Sequence, residues 1–445
     1  MEKINRRSFL GKSALATLAA GTFSSPFIRS VRAGEPGAND KIRLGIIGCG
    51  GMGCGLPSGG DLACFFLNPE VDCVVACDID DARLAQALKV CENHARPKPD
   101  TVKDFRRVLD RKDVDFVLIA TPDHWHALPT VMAAQAGKDI YVEKPLAKTI
   151  DEGRAMVEAV KKHNRVAQMG SQWRSAAHII EAAEIVKSGK LGKVSLARAW
   201  AFLDWLPSIG HVKDGPVPAG VDYDMWLGPA PLHAFNQNHF HFNFRWFWDY
   251  AGGLMTDWGV HLLNIASMGL PPHNPKSVTA AGGKFILDDD SETPDSLVTV
   301  YDFPTCQLIW EHRAGLNNGL NNRSWGIEWH GTEGNIIVND SGYELVTEPK
   351  KANIPSHKQK GQGDPRPAHV RNFLDCVKSR QPPALNLEVG HRVSTLAHLG
   401  NIAYRTGQKI VWDDVAEKVV DGHAADQLVS VKYRKPWHLP GLRRG

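Results

Sequence analysis

The stretch Gly48-Cys49-Gly50-Gly51-Met52-Gly53 constrains this chain more than any other. It follows an apolar run, Ile42 to Ile47, that reads as a β-strand. In a G-x-G-x-x-G turn the first glycine allows the tight bend and the second lets the backbone approach a pyrophosphate. The third allows close packing of helix on strand. A second strand, Val71 to Cys77, leads into Asp78-Ile79-Asp80, where a dinucleotide fold carries its ribose-binding acid. A carboxylate at Asp78 would accept hydrogen bonds from the ribose hydroxyls and repel a 2′-phosphate, which favours NAD(H) over NADP(H). One departure stands out. Gly55, Pro57, Gly59 and Gly60 interrupt the place where the first helix should start, so that helix is expected near Asp61.

With 445 residues the chain has room for two or three domains. Further strands are expected at Phe116 to Ala120 and Asp139 to Val142, with helices at Asp81 to Cys91 and Pro129 to Ala136. This βαβ alternation predicts a parallel sheet with helices on both faces. After about Arg165 the texture changes. A helix from Ala176 to Lys187 is followed by strand-like runs at Lys193–Ala201, Lys276–Ala281, Ser296–Phe303, Cys306–Glu311, Trp325–His330 and Asn335–Asn339. Turns of Gly, Pro and Asp separate them, which predicts a mainly antiparallel sheet in an α+β second domain. Thr347 to Pro367 reads as a loop, and helices are expected again at Ala368–Ser379 and Gly390–Thr406. The expected fold class is α/β, with a Rossmann domain over 41–165, a substrate and oligomerisation domain over 166–415, and a tail over 416–445.

Hydrophobic residues make up 43% and charged residues 23% of the chain, values that belong to a globular protein. The net charge of +3, without a long basic run, argues against a nucleic-acid binder. None of the eight cysteines forms C-x-x-C, so they read as buried thiols rather than a metal or redox site. Asn5-Arg6-Arg7-Ser8-Phe9-Leu10-Gly11-Lys12, followed by a weakly apolar stretch from Ala14 to Phe23, resembles a twin-arginine export signal. Val31-Arg32-Ala33 offers a cleavage site before Gly34. The expectation is therefore a signal over 1–33, the twin-arginine machinery as a partner, and a periplasmic or otherwise exported product. No later segment is apolar over a membrane-spanning length.

Two groups of residues sit where parallel strands end, the edge at which open α/β sheets bind ligands. They are Thr121-Pro122-Asp123-His124-Trp125-His126 and Glu143-Lys144-Pro145. A lysine there can be partly desolvated and serve in proton transfer. Further on, Asp257 and His261 are four residues apart and would share a helix face, where a histidine with a nearby carboxylate can serve as base or proton relay; a structural ion pair is the alternative. The same spacing could hold a metal, but no third ligand is evident. Immediately before them runs His239-Phe240-His241-Phe242-Asn243-Phe244-Arg245-Trp246. Its rings can stack on a sugar, and its Arg, His and Asn can bond hydroxyls; a buried aromatic core is an equal alternative for any one ring.

Together these motifs resemble the Gfo/Idh/MocA family, which includes glucose–fructose oxidoreductase and inositol dehydrogenase. The resemblance covers nearly all of the chain after Lys41 and extends to Asn372-Phe373-Leu374-Asp375 and Tyr404-Arg405-Thr406-Gly407-Gln408. It implies a second domain with a large open sheet that commonly makes dimer or tetramer contacts. It also implies that NAD(H) lies among Gly48, Gly50, Gly51, Met52, Gly53, Asp78, Thr121, Pro122, Trp125, His126, Glu143 and Lys144. Lys144, Asp257 and His261 would be catalytic, with Trp173, Arg174, His239, Arg245 and Trp246 toward the substrate. The implied reaction is hydride transfer from a C–OH carbon of a sugar, glycoside or polyol. Two alternatives stay open. One is transient oxidation followed by elimination of a glycosidic bond, as in proteins resembling glycoside hydrolase family 109. The other is a non-catalytic sugar or nucleotide sensor, which the joint presence of Lys144, Asp257 and His261 disfavours.

Overall fold

Short runs of β-branched and aliphatic residues, buried on both faces, form a parallel sheet. Its strands are Ile42–Ile47 (β1), Val71–Cys77 (β2), Asp100–Val102 (β3), Phe116–Ile119 (β4), Asp139–Glu143 (β5) and Ala167–Gly170 (β6). Their order, β3-β2-β1-β4-β5-β6, is doubly wound and all its pairings are parallel. The computed structural model describes residues 41–349, 355–420 and 422–442; the expected export signal lies outside them. The sheet runs past residue 165, because Ala167–Gly170 pairs with β5 and delivers Ser171 to the same edge as Lys144.

The first helix begins at Gly60, beside the expected Asp61. The glycine-rich interruption before it forms a single π turn, Gly51–Gly55, in which the Gly55 N–H donates to Gly50 O. Helices then cover both faces of the sheet. On one of them, Phe65 of Gly60–Phe66 meets Phe116, Tyr141 and Phe373, with ring centroids 5.2, 5.3 and 6.2 Å apart. Phe373 belongs to Arg366–Ser379, so a helix late in the chain returns to the nucleotide half and seats its first residue, Arg366, over the strand ends.

The second sheet comprises Val194–Leu203 (β7), Ser277–Gly283 (β8), Ser296–Asp302 (β9), Gln307–Ala314 (β10), Trp325–Gly331 (β11), Gly334–Asn339 (β12), Gly342–Thr347 (β13), His357–Lys360 (β14), Ile410–Asp413 (β15) and Lys418–Val419 (β16). Its order is β14-β13-β12-β11-β7-β10-β9-β8-β15-β16. Only β7 and β10 pair in parallel, so the sheet is mainly antiparallel, as expected. Along β10 buried Leu308, Trp310, His312 and Ala314 alternate with more exposed neighbours, the pattern of a sheet packed on one face. Gly259–Met268, Ala177–Lys187 and Leu387–Thr406 fill the packed face. β14 lies within the stretch expected to be a loop; His-Lys-Gln-Lys is a polar edge strand with no apolar alternation to betray it. Residues 416–442 are not a loose tail, since Val419, Ala425, Val429 and Leu439 are buried. Among the described residues no helix is long and apolar enough to cross a membrane.

Candidate active site

The glycine turn opens a cleft at the carboxyl ends of β1 and β4. Gly48 has φ +91°, and a Cβ there would meet Ala120 backbone atoms at 2.7 Å. A Cβ on Gly53 would lie 2.2 Å from Gly48 O, so this glycine packs inside the turn. Gly50 and Gly51 differ, because a Cβ on either would meet nothing within 4 Å. Packing within the chain does not demand glycine at these two positions, whereas close approach of a pyrophosphate to the backbone does. Asp78 borders the same cleft, held by the N–H groups of Cys49 and Asp80 at 2.7 and 3.0 Å. Burial raises its pKa to about 6. These features fit a dinucleotide.

The cleft encloses about 300 Å³ and is walled on the nucleotide side by Met52, Thr121, Pro122, Trp125, Glu143 and Lys144. The second half of the chain supplies Trp226, His241, Phe242, Arg245 and Asp257. Trp125 is fixed by its Nε1–H to Trp226 O at 2.9 Å. His126 stands behind the wall instead of on it. Its Nδ1 is 2.7 Å from Pro145 O and its Nε2 2.9 Å from Thr121 O, so the ring ties the two loops together. Burial lowers its pKa to about 4, and a neutral ring donates through only one of those nitrogens.

A second cavity of about 590 Å³ adjoins the first and shares Met52, Leu56, Lys144 and Asp257 with it. Lys144 Nζ donates to Asp257 Oδ1 at 2.6 Å and to Asp257 O at 3.1 Å. Arg245 Nε reaches the same Oδ1 at 3.2 Å, its guanidinium 4.4 Å over Phe242. Burial alone would push the Asp257 carboxyl up, but Lys144 and Arg245 outweigh it and hold the group below the usual carboxylate range. Asp257 and His261 both line the second cavity, as their spacing on one face expects, but they are not hydrogen-bonded to each other. The two helical segments Gly253–Asp257 and Gly259–Met268 meet at Trp258, which keeps helical φ/ψ, and the Asp257 carboxylate is taken by Lys144. His261 Nδ1 lies instead 3.0 Å from Ser171 Oγ, which also accepts from Asn264 Nδ2 at 3.2 Å. Burial first, then Lys144, lower the His261 pKa to about 3.

Of the residues expected near the substrate, Trp173 lines the second cavity and Arg245 the first. Three stand elsewhere. Arg174 acts from behind, donating to Asn264 Oδ1 at 2.9 Å and Ala384 O at 3.1 Å. Trp246 is buried beside a separate small cavity, because its loop turns it toward Leu254 and Pro294. The His239 ring lies edge-on to Phe247, with centroids 4.2 Å apart.

Several site residues had escaped the sequence reading. Asp123 is buried in the first cavity, and burial raises its pKa to about 7 despite Arg245 and Lys144. Its place in the Thr-Pro-Asp turn was the available signal. Asp61 and Glu143 are both buried, and burial drives both carboxyls upward, Asp61 to about 6. Trp258, Asp340, Asp364 and Arg366 line the second cavity. Asp340 sits in the turn between β12 and β13, Asp364 follows β14, and Arg366 opens the helix Arg366–Ser379; none had a motif to mark it.

Residues 42–171 match the family described as "Oxidoreductase family, NAD-binding Rossmann fold", and residues 177–296 and 331–439 match its "C-terminal alpha/beta domain". A levoglucosan dehydrogenase of Pseudarthrobacter phenanthrenivorans is 37% identical over 106 residues, 24% of this chain and 27% of that protein. A glycosyl hydrolase family 109 protein of Shewanella sp. (strain ANA-3) is 33% identical over 187 residues, 38% of this chain and 40% of that one. The chain thus matches these curated relatives over less than half of their length. Solved structures share the fold over more of the chain. Levoglucosan dehydrogenase in complex with NADH and levoglucosan superposes with a TM-score of 0.63 at 18% identity, covering 83% of this chain and 99% of that one. Aldose-aldose oxidoreductase from Caulobacter crescentus superposes equally well, with a TM-score of 0.63, 21% identity, and the same 83% and 99% coverage. By the two family matches, in the order that the two sheets display, the chain belongs to the Gfo/Idh/MocA oxidoreductase family.

Proposed function

We propose that the protein oxidises a C–OH carbon of a sugar, glycoside or polyol and keeps its nicotinamide nucleotide bound between turnovers. One observation carries this reading: the Lys144–Asp257 pair forms the wall common to the dinucleotide cleft and the outer cavity. A substrate carbon in the outer cavity would lie against the same lysine that borders the nucleotide. Bound NAD supplies hydride-accepting chemistry; the chain supplies alignment and proton handling. Lys144 donates a hydrogen bond to the substrate oxygen as negative charge develops there. His261, neutral and held by Ser171, accepts the hydroxyl proton. Burial and Lys144 disfavour the charged ring, so it hands the proton on to bulk water instead of storing it.

The likeness to family 109 glycosyl hydrolases favours a second reading, transient oxidation with elimination of a glycosidic bond and return of the hydride. An exported location, read from Arg6-Arg7, supports either redox-neutral route, since free NAD(H) is not expected there. The twin-arginine machinery would then be a transient partner, and the open face of the ten-stranded sheet would carry a homodimer or homotetramer. A panel of sugars and glycosides, assayed in parallel for NADH formation, sugar–sugar exchange and glycoside cleavage, tests the proposal. Oxidation or cleavage of a panel member is expected. Binding without any chemistry across the panel would leave a sensor and overturn it.

A further inference from the structure

The charge lining the outer cavity speaks to the class of sugar it takes. We propose that this cavity admits neutral or amino-bearing sugars and rejects those carrying a phosphate or carboxylate. The inference rests on the sugar-oxidoreductase reading above. An anionic substituent needs an uncommitted cation, and among the described residues two cationic side chains line the cavity: Lys144 and Arg366. Each is already engaged by a carboxylate. Lys144 Nζ is 2.6 Å from Asp257 Oδ1. Arg366 gives Nε at 2.8 Å and an Nη at 2.7 Å to Asp364 Oδ2, while its backbone N–H donates to Asp364 Oδ1 at 3.0 Å. A third carboxylate, Asp340, is exposed on the cavity wall with no cation among the described residues paired to it. Asp257 is met by Lys144 and by Arg245 from the adjoining cavity, and Asp364 by Arg366, so Asp340 is the carboxylate of the lining left without a cation among the described residues. His261 does not change the balance, because burial keeps its ring neutral until about pH 3.

The remaining lining suits an uncharged polyol. Trp173 and Trp258 flank Trp325, their ring centroids 5.3 and 6.2 Å from it, and present half-buried indoles to the cavity. Such faces take the C–H side of a sugar ring, and Gln172 and Ser341 can bond its hydroxyls. An incoming phosphate would lose hydration and gain only repulsion, whereas an ammonium would complement Asp340.

The test takes the neutral sugar that the enzyme turns over best and compares it with its amino, phospho and uronate forms at matched ionic strength. Both kcat/KM and direct binding by calorimetry are measured. Like-charge repulsion of this kind predicts a drop of about 100-fold for the two anionic forms, with the amino form within about tenfold of the neutral one. Asp364→Asn frees the Arg366 guanidinium and should raise the phospho-to-neutral ratio by about tenfold or more, a gain that adding Arg366→Gln should abolish. An anionic form accepted within about tenfold of the neutral one would overturn the charge selection while leaving the oxidoreductase reading intact. If no form either binds or reacts, both fall. A phospho-to-neutral ratio unmoved by Asp364→Asn, in folded protein, also counts against the selection.

Discussion

Lys144 and Asp257 hold each other across the junction of two cavities, with Nζ 2.6 Å from Oδ1 and 3.1 Å from the main-chain oxygen of the same aspartate. The double attachment holds the ammonium by two contacts, and in the proposed reaction its remaining proton would go to a substrate oxygen. Arg245 adds a second cation to the carboxylate, so the two partners are not equivalent. Lys144→Ala leaves Asp257 with Arg245. Asp257→Asn leaves two cations facing each other in a largely buried place, and such an uncompensated charge costs about 3–5 kcal/mol. Both variants should lose activity by about 100-fold or more, the scale of a lost positioned acid or base. Only Asp257→Asn should lower the melting temperature strongly, and Lys144→Ala should still bind NAD. Calorimetric melting and nucleotide titration check the asymmetry; equal melting temperatures would remove Arg245 from the account.

The Asn264–Ser171–His261 chain sets the ring's orientation from behind. Ser171 is a positioning residue, because it touches the histidine and not the cavity. Ser171→Ala should lower kcat by about tenfold, the worth of roughly one hydrogen bond, with little change in KM. His261→Ala should lower kcat by about 100-fold or more. The pKa near 3 also has a consequence: no acid limb of kcat between pH 5 and 8 should vanish in the His261→Ala residual activity. A limb in that range that disappears with the histidine would reassign its protonation.

Much of this site was legible in the chain alone, because its nucleotide half follows local rules. A glycine turn after an apolar strand, an acid at the end of the next strand, and lysine at the end of β5 are short-range signals, and the fold places all three at one edge. The outer cavity was not legible in the same way. Asp340 and Arg366 meet there only because polar β14 adds to the sheet edge and the Arg366–Ser379 helix returns to Phe65 and Phe116. Asp257 and His261 do come to the same cavity, but their hydrogen bonds go to Lys144 and Ser171, three-dimensional partners that i,i+4 spacing cannot show.

Asp78 gives the nucleotide site its own pH dependence. Its carboxylate form is the better acceptor for ribose hydroxyls, and burial places its pKa at about 6. Protonation below that value should weaken NAD binding, so the dissociation constant should be flat above pH 7. Below pH 6 it should rise by up to about tenfold per unit, the limit for one linked proton. Asp78→Asn should flatten the curve, and Asp78→Ala should narrow the preference over NADP. Fluorescence titration of NADH from pH 5 to 8 reads this directly; a pH-independent wild type, or tighter NADP binding, would contradict the assignment.

The ribose end of the cleft is roofed by the second half of the chain, which bears on whether nucleotide leaves at all. Asp222 N–H donates to Ile79 O at 3.0 Å, Lys103 Nζ donates to Gly220 O at 3.0 Å, and His241 Nε2 lies 2.8 Å from Asp80 Oδ2. Burial lowers the His241 pKa, so at neutral pH the ring is uncharged and donates Nε2–H to the carboxylate. A hydrogen bond to a charged group is worth about 1.5–3 kcal/mol, so breaking it to open the roof should slow release by about tenfold or more. His241→Ala should therefore speed nucleotide dissociation by that factor in stopped-flow displacement, while leaving Asp78 and the glycine turn untouched. Wild-type protein should carry nucleotide through desalting, and added NAD should barely raise turnover. Protein isolated empty, which then steadily reduces added NAD with a sugar donor, would end the redox-neutral proposal even if hydride transfer itself is upheld. A reporter fused to residues 1–33 that stays in the cytoplasm would remove the reason for a retained nucleotide, leaving the roof to act on release rate alone.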